Sequence, residues 1–336
     1  MTTTDPTVIE AAGSATGAVQ EIAFRAMGSD AHVILVGAPA ELTSWAQQRI
    51  EQLEAMWSRF LPTSEISVLN AEAGRWVEVS EETARLVSTA VAAWRLTGGT
   101  CDATVLGDVI RAGYDRSFDE LGPRQSGGSS SLVIGCTDIE IDGSSVRLPA
   151  GVGFDPGGLG KGLAADLVCA ELMAAGAAGA CVNLGGDVRV SGAAPDGDGD
   201  GWTIAVDHAQ VELPFARVGI LDGAVATSTS LLRRWLVGGS LRHHLIDPST
   251  GLPTDSDLAH VTVLAHDAWA AEALAKAILI RGSLHPFDLL GGTGAEAIIV
   301  GTDGWVTSTP GIGAYLGGGS LPVAIRDHST NGRPWT

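Results

Sequence analysis

Ala150-Gly-Val-Gly-Phe-Asp155-Pro-Gly-Gly-Leu-Gly-Lys161-Gly-Leu-Ala-Ala-Asp166 decides how this chain is read. An extended run with alternating apolar residues ends at Asp155, and a loop of four glycines around Lys161 follows. Leu163 to Ala175 then opens with good helix formers. Glycine lets a backbone come close to a ligand, and the N-terminal end of a helix favours an anion. Lys161 adds a mobile positive charge. The stretch therefore reads as a phosphate or pyrophosphate cradle, with the Asp155 carboxylate at its entrance. It is neither of the common signatures. A Walker A loop needs Gly in place of Asp155 and Ser or Thr in place of Gly162, and GxGxxG fails at Leu163. The competing reading is a plain strand-to-helix turn that uses glycine for its geometry.

The segments around the cradle point to strands in hairpins with helices between them. Glu21 to Val36 reads as two strands broken at Met27-Gly28-Ser29-Asp30. Glu41 to Phe60 has helical spacing, with Leu42, Trp45, Ile50, Leu53 and Trp57 on one side. Ser80 can cap a helix that stops at Gly98-Gly99, before a loop with Thr100, Cys101 and Asp102. Residues 122 to 131 read as a flexible connection. Ile139 to Ile141 and Val146 to Leu148 form a hairpin into the cradle. Strands follow at Ala180 to Leu184, Trp202 to Val206 and Ala216 to Leu221. Asp267 to Ile280 is a helix, and Ile298 to Val300 pairs with Trp305 to Thr307. The expected fold is α+β, with mixed, mostly antiparallel sheets packed with helices.

Composition narrows the partners. The 336 residues carry a formal net charge of −19, so there is no basic stripe for nucleic acid. No run of about 18 apolar residues is present to span a bilayer. Cys101, Cys136, Cys169 and Cys181 lack CxxC and zinc spacing, which gives four buried thiols in a reducing compartment. Residues 1–20 read as a disordered leader, residues 21–336 as one two-lobed domain, and the location as cytoplasmic.

Other clusters could carry chemistry. Ala226-Thr227-Ser228-Thr229-Ser230, Arg233-Arg234-Trp235 and His243-His244 through Asp247-Pro248 to Gly251 offer hydroxyls and a His–Asp pair near a turn. A Ser-His-Asp hydrolase is disfavoured by the lack of a GxSxG elbow. Asp196, Asp198 and Asp200 imitate half a calcium loop, but Asp207 stands where the bidentate Glu belongs. Glu272 and Lys276 share one helix face, either as a surface ion pair or, beside Ala271, Ala273, Ala275 and Ala277, on a helix packed close to something.

Taken in order, these pieces resemble the FAD:protein FMN transferases, once called thiamine biosynthesis lipoproteins. The matching blocks are Met27-Gly28-Ser29, Trp57 to Phe60 through Ser64-Glu65-Ile66-Ser67 to Asn70, Gly99 to Asp102, and Asp155 to Gly162 with Asp166. Asn183-Leu184-Gly185-Gly186-Asp187, Ala226-Thr227-Ser228, His244 to Gly251 and Ala271 to Lys276 complete the pattern. The resemblance implies cleavage of the FAD pyrophosphate, transfer of FMN to a Thr or Ser hydroxyl of an acceptor protein, and release of AMP. Two related readings are an FAD-binding protein without catalysis and a pyrophosphatase that releases FMN and AMP. By resemblance, Met27, Phe60, Thr100, Cys101, Asp102 and Asp155 hold the flavin and adenosine ends. Gly157, Gly158, Lys161, Gly185, Gly186, Thr227 and Ser228 belong to the cofactor site, and His244 moves the acceptor proton. The family's magnesium is held by a backbone carbonyl, here Gly158, and by Asp and Thr four residues apart. This chain has Glu272 and Lys276 at those two positions, and Thr-Ser-Thr in place of Thr-Ser-Gly. Either Lys276 swings away from a metal, or its ammonium takes the metal's place beside the phosphates.

Overall fold

The computed structural model describes residues 17–122, 135–195, 201–209 and 214–325. Its frame is one antiparallel sheet of eight strands whose spatial order follows the chain. The strands are β1 Val19–Ala26, β2 Ser29–Val36, β3 Gly179–Leu184 and β4 Asp187–Gly192. They continue as β5 Gly223–Thr229, β6 Leu258–Ala265, β7 Glu296–Gly301 and β8 Val306–Ser308. Each strand pairs antiparallel with the next. Among the described residues the α-helices are α1 Leu42–Trp57, α2 Glu65–Ala71, α3 Glu81–Leu96, α4 Leu106–Arg111, α5 Gly160–Ala174 and α6 Ala268–Arg281. Mixed helices and antiparallel sheets are thus the architecture, as expected.

Both faces of the sheet are covered at its centre, so β3 and β6 are buried almost throughout, whereas edge strand β1 alternates. Val33 and Leu35 of β2 enter the core shared with α1, α3, α5 and α6. Ile34 and Val36 face the other way, onto the hairpin of Trp202–Val206 and Ala216–Ile220. The period-2 geometry of a strand separates these neighbours by one residue. Helices α5 and α6 lie directly on the sheet and touch each other, α1 packs beside α5 onto β1 and β2, and α3 lies against α1, α5 and α6. This explains their composition: both are apolar nearly all round, and Ala271, Ala273, Ala275 and Ala277 of α6 are fully buried.

Several sequence expectations shift at their edges. β1 begins at Val19, inside the expected leader, and residues 1–16 lie outside the described residues. The expected connection at 122–131 lies outside them from 123 on, as do Asp196, Asp198 and Asp200 of the calcium-like pattern. The first hairpin turns on Met27 and Gly28 alone, both at positive φ (51° and 68°). β5 lies in a run of Ala, Thr and Ser, and neither it nor the more apolar β6 is among the strands expected from the sequence. They pair through side chains as well, with Thr227 Oγ1 2.9 Å from Thr262 Oγ1.

The second core holds a titration. His208 and His260 stack with ring centroids 5.4 Å apart, and Phe215 lies 5.6 Å from His260. Burial holds both imidazoles neutral, with His208 lowered to about 4 and His260 to about 3. The unfolded chain takes up these protons below about pH 6.5, whereas the folded chain does not until far lower pH. Each histidine therefore stabilises the fold fully above pH 6.5 and withdraws about 1.4 kcal/mol per pH unit below it. Asp166 acts in the opposite sense, since burial raises its carboxyl to about 6 and folding gains as it protonates. The two rings outweigh it, and His243 and His244, which burial also lowers, add in their direction. Denaturant titrations should give a stability lower by at least about 2 kcal/mol at pH 5 than at pH 7. An equal stability at both pH values would show that the two rings are hydrated.

Candidate functional site

The cradle is held by contacts from both sides. Asn70 of α2 pins the strand before it, with Phe154 N–H donating to Asn70 Oδ1 (2.6 Å) and Asn70 Nδ2 donating to Phe154 O (2.9 Å). Asp155 N–H donates to Ala103 O at 2.7 Å, and the Asp155 carboxylate accepts from Gly157 N–H at 2.8 Å. The chain then turns into α5, which starts at Gly160, inside the glycine loop. Leu159 and Gly160 N–H both donate to Pro156 O, whereas the N–H groups of Gly158 and Lys161 have no acceptor among the described residues. Free amides at a helix start are what an anion needs.

Helices α5 and α6 cap each other. Asp166 of α5 accepts from Ala268 and Trp269 N–H at the start of α6, at 2.8 and 3.0 Å. Glu272 of α6 accepts from Gly162 N–H at the start of α5, at 2.8 Å. The exchange requires close approach: a Cβ on Gly162 would stand 2.5 Å from Ala268 O. It also settles the role of two sequence candidates. Glu272 is buried and ion-paired through its other oxygen to Lys161 Nζ at 3.1 Å, while Lys161 also pairs with buried Asp187. Lys161 is therefore a fixed charge between two carboxylates, not the mobile one its sequence context suggests.

Beside the cradle lies a cavity of about 780 Å³. Ten of the sequence candidates line it: Met27, Phe60, Thr100, Cys101, Asp102, Asp155, Gly157, Gly158, Lys161 and His244, with Lys276 next to them. Thr227, Ser228, Gly185 and Gly186 are not among its lining residues. Thr227 is tied to Thr262, Ser228 is buried in β5, and Gly185 and Gly186 turn the chain from β3 to β4. That turn delivers Asp187 to Lys161. Glu272 reaches the site only through Lys161 and the α5 amide.

The sequence blocks left several lining residues without a role. Arg59 lies 3.3 Å from Asp155 and stacks on Phe60 and Tyr114, with its guanidinium 4.1 and 4.7 Å from the ring centroids. Tyr114 is backed by buried Trp235, centroids 5.4 Å apart, and Phe118 adds a further ring to the lining. Arg233 enters the cavity from a positive φ of 50° and donates to Gly28 O at 3.2 Å. Their only linear signal is membership in aromatic and arginine pairs far apart in the chain.

Among the described residues His244 is the one imidazole in the cavity lining. Its Nδ1 is buried without a hydrogen-bond partner among the described residues. Burial first, and then the charges of Arg233 and Lys276, hold its pKa well below 6.5. A neutral ring with an open nitrogen is a proton acceptor at neutral pH. Cys101 is the opposite case, since burial pushes its thiol up to about 11 and keeps it protonated.

The α+β sheet-and-helix fold thus brings a glycine cradle, a neutral histidine and an aromatic-walled cavity together in one place. The model of the ApbE family matches residues 27–299, and the chain belongs to that family. It is 29% identical over 289 residues to an FAD:protein FMN transferase of Rhodobacter capsulatus, covering 82% of this chain and 54% of that protein. The chain thus spans about half the length of that relative. A second FAD:protein FMN transferase, from Vibrio cholerae, is 27% identical over 69% of this chain and 71% of its own. Among solved structures, the ApbE protein of Thermotoga maritima superposes with a TM-score of 0.79 at 25% identity, covering 89% of this chain and 99% of that one.

Proposed function

We propose that this chain cleaves the pyrophosphate of FAD and passes FMN to a Ser or Thr hydroxyl of an acceptor protein, releasing AMP. The observation that carries this reading is a neutral His244, its buried Nδ1 without a partner among the described residues, lining the same cavity as Gly158 and Lys161, whose amides have no acceptor there. The relatives' names supply the substrate class. A cavity of about 780 Å³ suits a dinucleotide, and its aromatic wall suits a flavin or adenine ring.

In the proposed reaction the acceptor hydroxyl oxygen attacks the FMN phosphorus. Its proton passes to His244, the bond to the bridging oxygen breaks, and AMP carries away that oxygen. The cradle amides and the cavity cations hold the diphosphate in line, which is most of what phosphoryl transfer asks of a protein. The family resemblance also brings magnesium, and the residues do not fit it. Both Glu272 oxygens are engaged, by Lys161 and by Gly162 N–H, and Lys276 places an ammonium against the cradle carbonyls. No group of three or more His, Cys, Asp or Glu that could hold a metal occurs among the described residues. We place the reaction in the cytoplasm, which suits four free, buried cysteines.

Incubation with FAD, with and without a Ser- or Thr-bearing acceptor peptide, tests the proposal by chromatography. Flavin on the peptide with equimolar AMP is expected. Free FMN without adduct would mean hydrolysis, and intact bound FAD would mean a binding protein.

A further inference from the structure

The cations around the cavity are not equivalent. Lys161 is matched by Asp187 and Glu272, and Arg59 by Asp155. Glu272 also sets a carboxylate against the N-terminus of α5, where its charge offsets the helix dipole. The positive charge that would serve a diphosphate at this point is largely spent within the protein. Among the described lining residues, Lys276 and Arg233 carry charges bound only to backbone carbonyls.

Lys276 is the one placed on the cradle. Its Nζ donates to Gly157 O at 3.2 Å, and an ammonium has further N–H groups to give. Its side chain lies against the bare Cα of Gly158. A Cβ built there would stand 3.2 Å from Lys276 Cε and 3.4 Å from Cδ, and would meet Nζ as well. Glycine at 158 and lysine at 276 therefore fit one another, and the lysine fills the space against Gly158 and beside the Gly157 carbonyl. Cys101 Sγ lies 3.9 Å from Gly158 O. A divalent cation bound at these cradle carbonyls would have this ammonium as a close neighbour and would have to displace or neutralise it.

We infer that Lys276 is the resident cation of this site: its ammonium takes the place of a divalent metal against the dinucleotide diphosphate, so that this chain binds and cleaves FAD without one. The inference rests on the reading of the chain as an FAD-cleaving enzyme. No bond to Lys276 forms or breaks. It donates hydrogen bonds to the diphosphate oxygens as the bridging bond opens, while the acceptor proton goes to His244.

FAD affinity, read from flavin fluorescence, and AMP release are measured on the full chain in EDTA and in excess magnesium. The wild type is expected to give the same dissociation constant and the same AMP release in both, within about twofold. Lys276→Met is expected to weaken FAD binding about tenfold or more, the scale of one charged hydrogen bond. Lys276→Arg is expected to restore most of that loss, and melting curves show that both variants are folded. A wild type that binds FAD tenfold more tightly in magnesium, or that releases AMP only with it, overturns the inference and leaves the enzyme assignment standing. Unchanged affinity in Lys276→Met overturns it too. If the wild type binds no FAD in either buffer, the enzyme assignment itself falls and takes this one with it.

Discussion

His244→Ala should lower flavin transfer by about 10²- to 10⁴-fold while leaving FAD bound. Among the described residues the imidazole is the only one lining the cavity, and its Nδ1 has no partner there to lose. Removing it should cost the fold little and the proton transfer nearly everything. The wild-type pH profile supplies a second reading. Burial and two nearby cations favour the neutral ring, so the acid limb of kcat/KM should fall below pH 6.5 rather than at it. Protonation then switches activity off as pH drops. A variant with near-normal transfer, or an acid limb above pH 7, would remove His244 from the reaction.

Gly162→Ala should be the most damaging single methyl group in the cradle, costing about 3 kcal/mol. The added Cβ would meet backbone, Ala268 O at 2.5 Å and Trp269 N at 2.7 Å, and backbone cannot swing away as a side chain can. Relief requires α6 to move off α5, which strains the Asp166 bonds to Ala268 and Trp269 and the Glu272 bond to Gly162. The melting midpoint should fall by roughly 4 °C. Gly313→Ala is the control: nothing lies within 4 Å of its added Cβ, and its stability should be unchanged. Equal melting of the two variants would contradict the close α5–α6 junction.

The two glycines mark where sequence reading succeeds and where it stops. The cradle was legible because glycine, lysine and a following helix former sit in one continuous stretch. What each glycine does was not. Gly162 serves helix packing and Gly158 makes room for Lys276, and both depend on α6, over a hundred residues away. The same distance hid the fate of Lys161, because Asp187 and Glu272 reach it from separate parts of the chain. Helices α1, α3 and α6 were legible within a few residues from spacing and caps. Ser80, for example, accepts from Thr83 N–H as its position suggests. β5 was not, because Thr227 and Ser228 read as phosphate-facing hydroxyls when they are strand residues paired to β6. A strand buried on both faces leaves no alternation to find.

The claim on which the account stands is that the α5 cradle receives the diphosphate, and a crystal structure of the chain soaked with FAD tests it most directly. The account predicts diphosphate density within hydrogen-bond reach of the Gly158 and Lys161 amides and of Lys276 Nζ, with His244 facing the FMN phosphate. A flavin ordered against Phe60 and Tyr114 with its diphosphate directed into solvent, away from those amides, would contradict it.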